Sequence, residues 1–337
     1  MPAVPQVANL TSPPTNIYGL TQYVAQRIPG YDASEYLREL NSAYVHVWEE
    51  ITKIQNYYFT NIVQVKVAVN TNPQNFDLQY NADGNLTAAV SSRLYQIARI
   101  RVLPPSGGLF QTSTFMDFND PDYVSVEANP TATSTQTGPY YFTYFGHGRL
   151  RSAIPLAQNT TLEVAYVYWP LALTYLSAGT VSSSALTVTG TGTNFTQVVQ
   201  PDFSAALPGP ANVVNEEFLQ AELVANTNQV YRVTSIVNDT SLTTLTAVNP
   251  ALVAGSPYVL AALPEIPREH IRVIASVALA KMYSVAGDDS RVQEWTAIST
   301  ANMTLMKDSL IERQTNNPPR KKRFQYGFTR RNRAFLR

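Results

Sequence analysis

A chain of 337 residues, 45% of them hydrophobic, has room for two modest domains or for one domain carrying an insertion. Only 14% of its residues are charged, and 20 Tyr and 22 Pro with abundant Thr, Asn and Val take their place, a composition suited to a surface packed against neighbours. The absence of Cys excludes disulfides, thiol nucleophiles and Cys-ligated zinc or iron–sulfur centres.

Residues 1–30 read as an extended N-terminal arm, with Pro2, Pro5, Pro13 and Pro14 and a turn at Pro29 and Gly30. This start has neither a charged region nor an apolar run, so no signal peptide is expected. A helix then begins at Asp32, whose spacing to Glu35 is that of a capping box. Leu37, Leu40, Tyr44, Val47, Ile51 and Ile54 follow at helical spacing and form one apolar stripe, with Trp48 beside it.

The period then changes to two. Val63, Val65, Val67 and Val69 alternate with other residues, as do Leu162, Val164, Tyr166 and Tyr168, with further strands expected over 93–103 and 140–154. Residues 61–177 therefore read as an antiparallel β region. Residues 178–262, rich in Ser, Thr, Val, Ala and Gly, have the texture of an inserted small β-sandwich or barrel.

Helices return after Pro264. Pro267 suits an early helical position, with Ile271, Ile274, Val277, Ala278 and Lys281 continuing the stripe as far as Gly287. Asp288 caps a second helix carrying Val292, Trp295, Met303, Met306 and Leu310, which Pro318 and Pro319 end. The most apolar window, 273–287, contains Lys281 and is too short to cross a bilayer, so a soluble protein made in a cytoplasm, with no membrane partner, is expected. The economical way to bury these stripes is to pack the N- and C-terminal helices together. The predicted fold class is α+β: a helical domain of residues 31–60 and 263–316, with antiparallel β excursions.

Residues 317–337 form a basic tail. Arg320, Lys321, Lys322, Arg323, Arg330, Arg331, Arg333 and Arg337 alternate with Phe324, Tyr326, Phe328 and Phe335. These eight cations leave 16 basic against 24 acidic residues in the rest, so the zero net charge hides an acidic body of about −8. Four aromatics are of no use to a merely solvated tail, which points to docking. Arg and Lys on phosphates with rings on bases is one reading; rings in protein pockets with Arg on carboxylates is the other.

The layout of a long N-terminal helix, a β excursion and a closing helical hairpin with a basic tail resembles the head-to-tail connector (adaptor) proteins of tailed bacteriophages. The run GTVSSSALTVTGTGTNF at 179–195 and the strand–turn–strand YRVTSIVNDTSLT at 231–243 are similar to a module recurring in phage particle proteins. The resemblance implies a virion protein at the head–tail interface, made in a bacterial host, with copies in a ring, typically a dodecamer. Its implied partners are the portal, tail or nozzle proteins and the genomic DNA passing through the channel. A channel wall that lets DNA slide is better acidic than basic. The tail is therefore expected to grip the portal, with DNA as the alternative. A tail or baseplate component whose β domain binds a fibre or host glycan is the second reading.

No catalytic, cofactor-binding or metal site is expected. His46, His147 and His270 are scattered, no nucleophile elbow is present, and the spacing of Asp117, Asn119, Asp120 and Asp122 fits a turn better than an EF-hand. Gly190 and Gly192 lack the Lys and following helix of a phosphate loop and read as a hairpin turn.

Overall fold

A computed structural model describes residues 16–54, 56–68, 73–128, 140–144, 148–198, 221–225 and 229–316. The protein is α+β, with a helical domain drawn from both ends of the chain, a seven-stranded β excursion and a second, barrel-like one.

The arm expected over 1–30 is corrected within the described part: Ile17–Arg27 is a helix, α1. Asn16 caps it, its Oδ1 accepting from the Gly19 N–H at 2.9 Å. Ile17, Leu20 and Val24 are fully buried. Gly19 and Thr21 are poor helix formers, so packing against neighbouring elements, not local propensity, holds this helix.

The second helix, α2 (Ala33–Ile54), begins as its capping box requires: the Asp32 N–H donates to Glu35 Oε2 at 2.9 Å. Leu40, Tyr44, Val47 and Ile51 are completely buried, and Leu37 and Ile54 pack at the margin of the same core. At the other end of the chain, a short 3-10 turn, Arg268–His270, precedes α4 (Ile271–Ala286), which starts later than Pro267 suggested. Gly287 closes α4 in a left-handed conformation at φ 74°, and Asp288 accepts from the Arg291 N–H to start α5 (Asp289–Asn316). Ile274, Met306 and Leu310 lie in the core, with Val277 and Trp295 packed against it. Lys281 reaches Glu39 at 2.8 Å and Lys307 reaches Glu50 at 2.5 Å, so acids of α2 tie down both C-terminal helices.

The first sheet holds β1 (Thr60–Lys66), β2 (Asn75–Asp77), β3 (Leu94–Leu103), β4 (Gln111–Phe115), β5 (Tyr140–Tyr144), β6 (Arg149–Ser152) and β7 (Thr161–Tyr168), in the order β1-β7-β3-β4-β5-β6-β2. All pairings are antiparallel except β4 with β5. Between those two strands lies a helix absent from the sequence reading, α3 (Pro121–Ala128), which supplies the crossover. The Asp117–Asp120 turn leads directly into it, with Pro121 at its first position. Strand β7, next to the edge strand β1, is buried on both faces, so Thr161, Glu163 and Ala165 are enclosed as well as Leu162, Val164 and Tyr166 of the predicted stripe.

The second sheet contains β8 (Tyr175–Leu176), β9 (Thr180–Ser184), β10 (Thr187–Thr191), β11 (Ala221–Ala225), β12 (Val230–Asn238), β13 (Ser241–Thr244) and β14 (Tyr258–Ala262), in the order β8-β14-β11-β12-β13-β10-β9. It curls back on itself: Val181 of β9 exchanges two backbone hydrogen bonds with Ser256, two residues before β14. The two motifs that carry the resemblance interlock here. The carbonyl of Asp239, in the β12–β13 turn, accepts from Thr193 Oγ1 at 2.7 Å and from the Phe195 N–H at 3.1 Å. Gly190 lies within β10 and not in the hairpin turn that was expected; a Cβ there would stand 2.1 Å from Thr193 Oγ1, so only glycine fits.

This barrel shares one continuous hydrophobic core with the helices, whereas the first sheet encloses a core of its own. Tyr18 of α1 meets Tyr175 of β8 edge-on at 5.2 Å, and Asn16 Nδ2 donates to Glu222 Oε2 of β11 at 2.7 Å.

Candidate functional site

The residues proposed for docking, from Arg320 to Arg337, lie outside the described residues, as does His147. The structure does place the last turns of α5, from which that segment continues. Helix α5 runs antiparallel to α4, as Ser309 near His270 and Asn302 near Ser276 require. It runs alongside α2 in the same direction, and its Lys307 pairs with Glu50 near the end of α2.

At that end the helical domain meets the first sheet. Arg93, just before β3, forms a buried ion pair with Glu265 at 2.6 Å, their side chains 11% and 8% exposed. The Arg93 Nε donates to the Trp169 carbonyl at 2.8 Å, and its guanidinium lies 4.7 Å from the Tyr168 ring centre. The Glu265 N–H donates to the Tyr44 hydroxyl of α2 at 2.9 Å. Three segments distant in sequence are thus tied at one point. Burial, reinforced by the Glu265 carboxylate, drives the Tyr44 hydroxyl well above its ordinary pKa, so it stays protonated.

Beside this ion pair Trp169 joins a cluster of rings. Trp48 stacks on Trp169 at 5.1 Å and meets Tyr95 edge-on at 5.1 Å, while Tyr95 and Trp169 themselves lie 4.5 Å apart. Phe59 continues the cluster from Trp48 to Tyr58. Trp48 is fully enclosed, but Tyr58, Tyr95 and Trp169 are each about 40% exposed, forming an aromatic shelf at the surface. Sequence reasoning missed Arg93, Tyr95, Trp169 and Glu265. Glu265 alone carried a signal, as an acid flanked by Leu263, Pro264, Ile266 and Pro267; a charge in such a run calls for a buried partner.

The Glu50 carboxylate accepts from Lys307 and Lys53, which holds its pKa down at about 2. Glu39 is also lowered: burial works against this, but Lys281 and Arg38 outweigh it.

The remaining candidates have ordinary environments. His46 is exposed on α2. Buried His270 meets Ser309, whose hydroxyl donates to the Met306 carbonyl. A cleft of about 360 Å³ lies between the Asp77–Asp83 turn and β6, where Asp77 and Asp83 are committed to backbone N–H groups. Among the described residues no group of three or more His, Asp or Glu is placed to hold a metal, and no helix is long and apolar enough to cross a membrane. A scan against protein-family models finds no match, and a search of curated proteins finds none either.

Proposed function

We propose that this chain is a structural subunit of a tailed-phage particle, a head-to-tail adaptor that works by assembling into a ring between portal and tail. The observation that carries the proposal is the closed helical domain built from both ends of the chain, to which the first sheet is fastened by the Arg93–Glu265 ion pair. Such a body holds its β excursions at a fixed angle and sends its last residues from the end of α5, a geometry suited to bridging neighbours. The interlocked GTGTNF and NDTS segments support a phage particle module, and low surface charge suits a chain with several protein neighbours.

Docking of residues 320–337 on the portal is part of the same proposal, with aromatics in pockets and arginines on carboxylates. A glycan-binding barrel would call for exposed rings in a groove; among the barrel's described aromatics Phe195, Tyr231 and Tyr258 are buried, and Tyr175 is half-buried against Tyr18 of α1. Mixing the purified protein with candidate portal and tail proteins, followed by electron microscopy, tests the reading. A ring bridging the two supports it, and a trimeric spike overturns it. Deleting 320–337 should abolish portal binding with the circular dichroism spectrum unchanged.

A further inference from the structure

We infer that the cleft between the Asp77–Asp83 turn and β6 is a binding site for a sugar acid, one pyranose ring carrying a carboxylate, with Arg149 as its anchor. The site is independent of the proposed ring assembly.

The cleft, of about 360 Å³, has room for one hexose-sized ring, and Asn75, Asp77, Asp83, Arg149 and Arg151 line it. Strands β2 and β6 pair so that Arg149 stands opposite Asp77 and Arg151 opposite Asn75, all four on one face of the sheet. Opposite charges so placed ordinarily meet. Here they do not. Asp77 turns its carboxylate into its own turn, where it accepts from the N–H groups of Gln79, Tyr80 and Ala82 at 3.0, 3.0 and 3.1 Å. Exposed Arg149 is left with no ion pair among the described residues, whereas Arg151 is answered by Glu127 of α3. Asp83 is exposed and accepts from the N–H groups of Asp77 and Asn85. Those two bonds take about half of a carboxylate's acceptor sites and leave the others for hydroxyl donors.

The walls are formed in advance. Asn85 Nδ2 donates to the Asn75 carbonyl at 2.7 Å, and Gln79 Nε2 donates to the Ser92 carbonyl at 2.8 Å. Gly148, at φ 65°, presses the start of β6 against the turn: a Cβ there would stand 2.8 Å from Gln79 Cβ. A ligand therefore meets groups already held in place, and little ordering is lost on binding.

These groups select the ligand class. A cation would be repelled by Arg149, and a bare dianion such as phosphate by Asp77 and Asp83. A neutral sugar leaves the guanidinium without its counter-charge. A carboxylate bordered by hydroxyls suits both walls: it takes parallel hydrogen bonds from Arg149, while its hydroxyls donate to Asp83 and accept from the Asn75 side chain.

The test is a ligand-observed saturation-transfer NMR titration of the full-length protein. The probes are the methyl glycosides of glucuronic and galacturonic acid, the matching neutral glucoside and galactoside, and cyclohexanecarboxylate, which keeps the charge but lacks the hydroxyls. One of the sugar acids should bind saturably, with its neutral counterpart and cyclohexanecarboxylate each about tenfold weaker. Arg149→Gln, an exposed change checked for folding by circular dichroism, should weaken the sugar acid about tenfold and remove its advantage over the neutral glycoside. Asn75→Ala should weaken it about threefold and leave cyclohexanecarboxylate unchanged. Failure of both sugar acids to bind, equal binding of the neutral glycoside or of cyclohexanecarboxylate, or indifference to Arg149→Gln would overturn the inference. Displacement of the sugar acid by an equal concentration of inorganic phosphate would reduce the cleft to a plain anion site, and would also overturn it.

Discussion

Arg93 and Glu265 show what a single pair contributes. Both are removed from water, so each depends on the other, and loss of one strands a charge in the interior. Arg93→Ala should lower unfolding free energy by about 3 kcal/mol in urea titration, while the double change Arg93→Met, Glu265→Leu should cost clearly less. Glu50 makes the complementary point at the helix seam. Its pKa is about 2 in the folded protein and returns to 4.5 when Lys307 and Lys53 are lost, so its stabilisation is fully present above pH 4.5. That contribution falls away as pH drops toward 2. Urea midpoints should decline over this window, and Glu50→Gln should flatten the decline.

Helix α1 is where elements part from local expectation. Its stripe is short and follows two prolines, and Gly19 weakens it, so nothing in residues 16–27 by themselves demands a helix. It forms because Ile17, Leu20 and Val24 fill a space bounded by α2, α4 and the barrel. Asn16 joins the two roles, capping the helix and reaching Glu222 of the barrel. Asn16→Ala should therefore destabilise the protein by about 1–2 kcal/mol, measured by denaturant unfolding, with Asn16→Asp keeping the cap but setting two carboxylates together and recovering only part. By contrast α2, with its capping box and unbroken stripe, was legible from sequence to within a turn.

In the whole molecule, one core runs from the helices into the barrel, and a second lies inside the first sheet. Helices and barrel should thus unfold as one cooperative unit. Val188→Ala, deep in the barrel, should cost about 2 kcal/mol and shift the helical circular dichroism transition as far as any barrel probe; separate transitions would show two independent units. The first sheet is joined to that unit through the Arg93–Glu265 junction and its rings, and through Phe59 and Val167, which belong to the shared core.

Periodicity and capping residues were enough to determine the α+β class, the stripe of α2 and the turn at Gly287 and Asp288, because stripe and caps rest on contacts within a few residues. The tertiary structure alone decided that Ile17–Arg27 is helical, that β4 and β5 run parallel, and that Arg93 meets Glu265 across 172 positions. The aromatic shelf belongs with these: Trp48, Tyr95 and Trp169 each sit unremarkably in their own segments. Burial energy is gained only when distant pieces close upon one another, and no local pattern records which pieces those will be.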